Sequence, residues 1–357
     1  MDNISLLVLL GKIVLVLTVC MGSVPFLVWF ERRGSAWMQG RVGPNRVGPF
    51  GLLQSLADVL KFLFKEDFVP QNASKFYYYL APLIALVAPL AALTLIPFGS
   101  HIIIGGVSYP LQIALVDTGI LFILAFAGLE VYPIILAGWA SNNKYSILGS
   151  LRGSSQIISY EIAMGLSLVS MLIAYGSINP QEMVAMQQSG GTIGMWGALL
   201  NPVGALIFWI CIFAETNRLP FDLPESEAEL VAGFHLEYGA MKFALFFLAE
   251  YVAMVMAAAL MVVIFFGGYG LLPGFTSLVP ILGNSFPSFE IQNIKAVLEF
   301  ASMFLKVAFV MFVFVWVRWT IPRFRYDQVM DLGWKILFPL SLLNLLYMAV
   351  VTAWKFS

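Results

Sequence analysis

The sequence predicts an all-α polytopic integral membrane protein with eight transmembrane helices and amphipathic helices on its inner side. Three observations carry the prediction. Apolar residues make up 60% of the 357 and charged residues 11%, against roughly half and a quarter in soluble domains. Mean hydropathy is +0.89. Apolar runs that can cross a hydrocarbon core of about 30 Å, which takes about 20 residues, recur along the chain with only loop-sized polar stretches between them. One membrane-embedded domain over 1–357 is expected, and no soluble one.

The expected spans are 4–30, 78–98, 113–139, 156–176, 197–215, 240–267, 298–319 and 335–354. The first resembles a signal sequence but lacks a basic region before its apolar stretch and a small-residue cleavage site, so it reads as retained. Lys12 interrupts it and is expected to snorkel toward the nearer interface. With eight spans, both termini share a side. The loop 31–77 carries Arg32, Arg33, Arg41, Arg46, Lys61, Lys65 and Lys75, and later loops on its side add Lys144, Arg152, Arg218, Arg323 and Arg325. The opposite loops, 99–112, 177–196 and 268–297, hold only Lys295. The positive-inside bias therefore puts the basic loops inside and both termini outside.

Within the first inner loop, Arg41-Val-Gly-Pro-Asn-Arg-Val-Gly-Pro49 reads as turns, after which a helix can begin. From Leu52 to Phe64 the apolar residues fall at helical spacing, while Gln54, Asp58, Lys61 and Lys65 share one stripe. This amphipathic helix is either a membrane-surface anchor or a lintel over an opening for a lipid-soluble substrate.

Other chemistries are poorly provided for. Cys20 and Cys211 lie in separate apolar runs and His101 and His235 in loops on opposite sides, so no Cys-ligated cluster, haem pair or metal-spaced set is expected. Gly190, Gly191 and Gly194 fail the dinucleotide spacing. A net charge of -1 argues against nucleic acid as a partner.

The distinctive feature is acid within the apolar helices. A charge at the bilayer centre costs about 2.5–3.5 kcal/mol even on lenient scales. Glu130 lies about nine residues, roughly 14 Å, from the inner end of its span, and Glu250 at a similar depth. Glu161 and Glu215 sit about a turn inside the same face. Each alone could be structural, bonded to a neighbour such as Tyr160 or Tyr251. Four at graded depth are better explained jointly, as a proton path. The inner loop after Glu215 continues the acids with Asp222, Glu225, Glu227, Glu229 and Glu237. Asp222 and Glu225, or Ser226 and Glu229, have capping-box spacing, which would account for part of this. On the outer half only Asp117, Glu299 and Lys306 are available. Charge that enters from the inside would leave sideways, into a partner.

The runs Glu31-Arg-Arg33, Arg41 to Gln54, Ala57-Asp58, Lys65-Glu-Asp67, Gly138-Trp-Ala-Ser-Asn142, Ser159-Tyr-Glu161, Ala214-Glu-Thr-Asn-Arg218, Pro220-Phe-Asp-Leu-Pro-Glu225, Glu229-Leu-Val231 and Pro322 to Gln328 closely resemble the H-type membrane subunits of respiratory complex I, the proton-pumping NADH:quinone oxidoreductase. The resemblance covers nearly the whole chain. It implies a subunit that shapes most of a quinone chamber where membrane and peripheral arms meet, and that binds no cofactor of its own, quinone being the substrate. Electrons would come from an iron–sulfur cluster in a peripheral partner. It further implies that Arg32 and Asp58 flank the quinone entrance, that Arg218, Asp222, Glu225, Glu227 and Glu229 belong to a loop beside the chamber, and that Glu130, Glu161, Glu215, Glu237 and Glu250 form an acidic chain. That chain would lead past small membrane subunits toward antiporter-like ones. The entrance role favours the lintel over the anchor. Glu130, which some mitochondrial relatives lack, points to a bacterial inner membrane, with the mitochondrial one as the alternative. A hydrogenase membrane subunit of the same superfamily and a proton-coupled secondary transporter are the rivals; the second should show an internal repeat and broken midplane helices.

Overall fold

The computed structural model describes residues 3–189, 196–225, 233–272 and 288–356. Gly190, Gly191, Gly194, Ser226, Glu227 and Glu229 lie outside the described residues, as does 273–287 of the outer loop.

The chain begins with α1 (Asn3–Met38), which runs past the expected inner end and carries Glu31, Arg32 and Arg33 on helix rather than loop. The amphipathic α2 (Gln54–Phe64) follows, then α3 (Lys75–Leu93), α4 (Gly119–Gly128), α5 (Val131–Ala140) and α6 (Lys144–Tyr175). After α7 (Pro180–Gln188), α8 (Gly197–Leu200) and α9 (Pro202–Glu215) come α10 (Ala240–Phe265), α11 (Ser288–Thr320), α12 (Tyr326–Asp331) and α13 (Phe338–Phe356). A π-helical stretch, Leu332–Leu337, joins the last two.

Among the described residues, seven helical stretches are long and apolar enough to cross a membrane, not eight. The expected span 197–215 is divided. Pro202 forces its predecessor out of helical geometry, and Asn201 stands at φ −137°, ψ 76° with its Oδ1 accepting from Gly204 N at 2.9 Å. That leaves α9 with 14 residues, about 21 Å at 1.5 Å per residue.

The third span is interrupted as well, against the expectation of unbroken midplane helices. Pro133 has no N–H to offer the carbonyl of Leu129, which accepts from Tyr132 N at 3.2 Å instead. The tightened turn separates α4 from α5 and sets Glu130 at the break.

The described fold is all-α but for one outer hairpin, β1 (His101–Ile104) against β2 (Val107–Pro110), with His101 opposite Pro110. Gly105 and Gly106, at φ +60° and +82°, make its two-residue turn. Asn293 of α11 holds it by accepting from Ile103 N (2.7 Å) and donating to Ile103 O (3.0 Å).

Of the spans, α10 is the most enclosed, and α1 and the last are the most peripheral. The large core joins Tyr160, Leu168, Phe208, Cys211 and Val262, and a smaller inner cluster gathers Tyr78, Ile134, Phe234, Tyr238 and Phe246. The acids of interest come from the α4–α5 break and from α6, α9 and α10.

Candidate functional site

The turn after α9 is built to bring charge inward. Asn217 takes a left-handed conformation, φ +51°, which asparagine tolerates better than most residues. Buried Gln156 of α6 donates to Ala214 O (3.0 Å) and Phe221 O (2.8 Å), fastening both ends of the turn. Arg218 is thereby directed into the protein, where it is 3% exposed.

Around Arg218 lie two acids and a tyrosine. Its Nε is 2.5 Å from Glu250 Oε1, though without hydrogen-bond alignment, and its Nη1 donates to Glu31 Oε2 at 3.4 Å. Its guanidinium lies 4.3 Å over the ring of Tyr251, whose hydroxyl donates to Glu31 Oε2 at 2.6 Å. Arg318, near the inner end of α11, also pairs with Glu31. Arg323 donates to Asp222 Oδ2 at 2.5 Å, while Asp222 Oδ1 is buried without a hydrogen-bond partner among the described residues. Of the two capping-box alternatives, the one of Ser226 and Glu229 lies outside the described residues.

Glu225 is half-buried next to this cluster. Burial pushes its carboxyl well above the usual carboxylate range, the charges of Glu250 and Asp222 push the same way, and Arg218 and Arg318 only partly offset them. Asp222 is raised too, by burial, with Arg323 opposing. For Arg218, burial disfavours the charge, but Glu250, Tyr251 and Glu31 outweigh it and hold the guanidinium protonated. Glu31, Glu250 and Asp222 are paired with Arg218, Arg318 and Arg323, three carboxylates with three guanidiniums.

A cavity of about 50 Å³ opens beside the cluster, and Glu130, Glu215, Glu225 and Glu250 all line it. This is room for water. Glu215 Oε1 and Oε2 and Glu130 Oε1 are buried without a hydrogen-bond partner among the described residues. Glu161 lies within Coulombic range of Glu215, and its Oε1 comes close to Gly128 of α4, 2.7 Å from where a β-carbon would stand. Four of the acids expected from sequence thus share one cavity and a fifth lies near.

The rest are placed differently. Glu237 accepts from Asn143 Nδ2 at 2.6 Å and stands apart from the cavity. Tyr160 donates to Val329 O (2.9 Å) rather than to Glu161, and Tyr251 serves Glu31 rather than Glu250. Arg32 and Asp58 do meet: Nη1 lies 2.5 Å from Oδ2, and Gln54 Nε2 donates to Asp58 Oδ1 at 3.2 Å, tying α2 to α1. On the outer half, Asp117 is exposed, Glu299 accepts from Ser100 N (2.7 Å), and Lys306 donates to Gly268 O (2.8 Å) and Gly270 O (2.7 Å). Each has a local setting there, and none extends the cavity. The groups that sequence reasoning left out of the site are Glu31, Arg318 and Arg323, each at an inner helix end where a charge reads as a solvated terminus. The signals for Glu31 were its place at the end of the first apolar run and in the Glu31-Arg-Arg33 motif.

Among the described residues, no group of three or more His, Cys, Asp or Glu could hold a metal ion.

Comparisons with known proteins bear on this geometry. A family model described as NADH dehydrogenase matches residues 11–349. The H-type chain of NADH-quinone oxidoreductase from Salinibacter ruber is 48% identical over 336 residues, covering 94% of this chain and 93% of the relative. Its counterpart from Bdellovibrio bacteriovorus is 45% identical over 366 residues, covering 95% and 94%. NADH-quinone oxidoreductase subunit 8 of Rhodothermus marinus is 48% identical over 327 residues, covering 92% of each.

Proposed function

The chain belongs to the NADH dehydrogenase family, as a homologue of the H-type chains of bacterial NADH-quinone oxidoreductase, and from that premise we propose that it forms the quinone chamber and entrance of the enzyme's membrane arm. It couples quinone reduction to proton translocation through its carboxylates. The observation that carries this reading is the meeting of Glu130, Glu215, Glu225 and Glu250 at one cavity that touches the Arg218 cluster through Glu250.

The chain acts as a subunit of a translocase; quinone is the substrate, and the electrons come from an iron–sulfur partner in the peripheral arm. Reduction adds negative charge and a demand for protons in a poorly solvated chamber. Two charges 4 Å apart interact there by about 4 kcal/mol at an effective dielectric of 20, against about 1 in water. Negative charge near Asp222 and Arg218 competes for the guanidinium and loosens its hold on Glu250. Glu250 then takes a proton from the cavity acids, and the deficit moves by way of Glu225 and Glu215 to Glu130 and Glu161. Glu227, Glu229 and Glu237 supply protons from the inner side. Antiporter-like subunits receive the displaced charge past small membrane subunits, and lipid surrounds the rest.

Arg32 and Asp58 frame the entrance, with α2 as its lintel: Leu56, Leu60 and Phe64 expose an apolar face to lipid while Asp58 turns to α1. The protein is a multi-pass component of the bacterial inner membrane, one domain, with both termini periplasmic. In this reading α8 and α9 together make the eighth crossing.

The test is Glu215→Gln and Glu161→Gln in the assembled complex, with NADH-driven quinone reduction and proton uptake measured in proteoliposomes. Proton movement should fall by an order of magnitude or more in each. Parental pumping in both would sink the relay, and absence of crosslinks from a photoreactive quinone to 29–64 would sink the entrance.

A further inference from the structure

Two apolar cavities lie on the flank of α1, away from the carboxylates. The larger, about 560 Å³, sits between α1, the hairpin and the start of α11. The smaller, about 240 Å³, lies below it between α1, α10 and α11. They share Leu15, Val16, Phe98 and Phe300, so they form one trough that ends at Phe30 and Phe312. From Lys12 to Phe30 it follows α1 for about 27 Å at 1.5 Å per residue, close to the roughly 30 Å thickness of a hydrocarbon core.

Among the described residues lining the trough, Lys12 is the one with a charge. Its Nζ donates to the backbone carbonyl of Gln112 at 3.3 Å and pairs with no carboxylate among them. A long bond to a neutral acceptor leaves an ammonium with further donors and no countercharge. The opposite end of the trough approaches Trp29 and Arg33, which bond Phe50 O. The cation therefore stands at the end remote from the basic loops, at the level of the outer hairpin.

We infer that this trough binds an anionic phospholipid of the outer leaflet, its phosphate on Lys12 and one acyl chain laid down the groove toward Phe30. A long apolar trough suits an extended chain. A quinone head group is neutral and offers Lys12 carbonyl acceptors but no countercharge. A zwitterionic lipid carries its own ammonium, which repels the lysine. Among the described lining residues a peptide would find only Lys12, Ser23 and Gln112 side chains for its backbone polar groups.

The test uses the intact complex in proteoliposomes doped with phosphatidylglycerol or phosphatidylcholine, each carrying the same photoreactive group on its acyl chain. The anionic probe should label peptides 12–30 and 300–312 about fivefold more than the zwitterionic one, the factor that one lysine near an anionic surface is worth. Lys12→Gln should bring the two probes level, and Ala308→Phe, which fills the lower cavity from its exposed side, should lower labelling by both. NADH-driven quinone reduction should be unchanged in either variant, so a failure of the proposed relay would leave this readout intact. Equal labelling by the two lipids, labelling unmoved by Lys12→Gln, preferential labelling by a photoreactive quinone, or no lipid labelling because another subunit covers the trough would each overturn the inference.

Discussion

At the scale of single residues, burial sets the chemistry of the acidic loop more than charge count does. Glu225 and Asp222 are both raised, although three guanidiniums lie close by. For a raised acid the folded state holds its proton more tightly than the unfolded chain does. The stability this contributes is complete below the unfolded value of about 4.3 for a glutamate and is lost as pH rises through the folded value. The segment 216–239 should therefore lose protection against hydrogen exchange as pH climbs, relative to a Glu225→Gln variant compared at the same pH after correction for intrinsic rates. Parallel behaviour of the two proteins would mean that Glu225 ionises freely. Tyr251 offers a second check: its hydroxyl bonds a buried carboxylate that two guanidiniums share. A hydrogen bond to a charged group is worth about 1.5–3 kcal/mol, so Tyr251→Phe should destabilise the assembled complex by that order in thermal unfolding. A smaller loss would mean that the arginines alone hold Glu31. The depth of each acid was legible in the sequence because rise per residue is fixed. Partners were not, since spacing along one helix says nothing about which residue of another helix faces it. Tyr251 adjoins Glu250 in sequence, yet consecutive helical residues point about 100° apart, and its hydroxyl reaches Glu31 instead.

At the scale of elements, small residues decide how closely the acidic loop approaches. A β-carbon on Gly153 of α6 would stand 2.8 Å from Pro224 Cβ, and one on Gly149 2.8 Å from the Gly233 carbonyl carbon. Gly233 N donates to Glu225 O (3.0 Å) and Phe234 N to Pro224 O (3.1 Å), closing the neck of the loop against that helix. Gly149→Ala should push this neck away, since backbone rather than a flexible side chain opposes the new methyl. The expected result is an assembled complex with normal content and strongly reduced proton movement; unchanged pumping would show that the loop's approach is not needed. The lintel behaves otherwise. Arg32 and Asp58 are 44% and 28% exposed at their side chains, and such pairs contribute about 0–1 kcal/mol. A double-mutant cycle on Arg32→Gln and Asp58→Asn should give a coupling energy in that range, with any activity loss appearing in the apparent affinity for quinone rather than in assembly. Amphipathic α2 was legible because its polar stripe repeats at helical spacing. The breaks at Glu130 and Asn201 were not assigned, although Pro133 and Pro202 are plain in the sequence. Proline can sit inside an apolar helix unnoticed, as Pro82 and Pro89 do in α3, and only packing shows which one divides its span.

At the scale of the whole molecule, Arg218 is the one group among the described residues that touches both halves of the machinery, Glu31 on the side of α1 and Glu250 on the side of the cavity. In the proposed function quinone reduction perturbs the first set of contacts and proton movement follows from the second, so this arginine carries the coupling. Two substitutions separate its roles. Arg218→Met leaves Glu31 and Glu250 buried with less compensation, and breaking a buried pair in this way costs roughly 3–5 kcal/mol. The complex should assemble poorly or not at all, which blue native electrophoresis would detect. Arg218→Lys keeps the charge but loses the fork that reaches two carboxylates while stacking on Tyr251. Lysine offers one ammonium in place of that fork, so its contacts to Glu31 and Glu250 compete. Quinone reduction should persist at a substantial fraction of the parental rate, while the number of protons moved per electron falls, because the two halves no longer share one cation. Measuring both quantities in the same proteoliposomes decides the matter: a parental proton-to-electron ratio in Arg218→Lys would show that coupling runs elsewhere, and a parallel fall of both would reduce Arg218 to a structural pin.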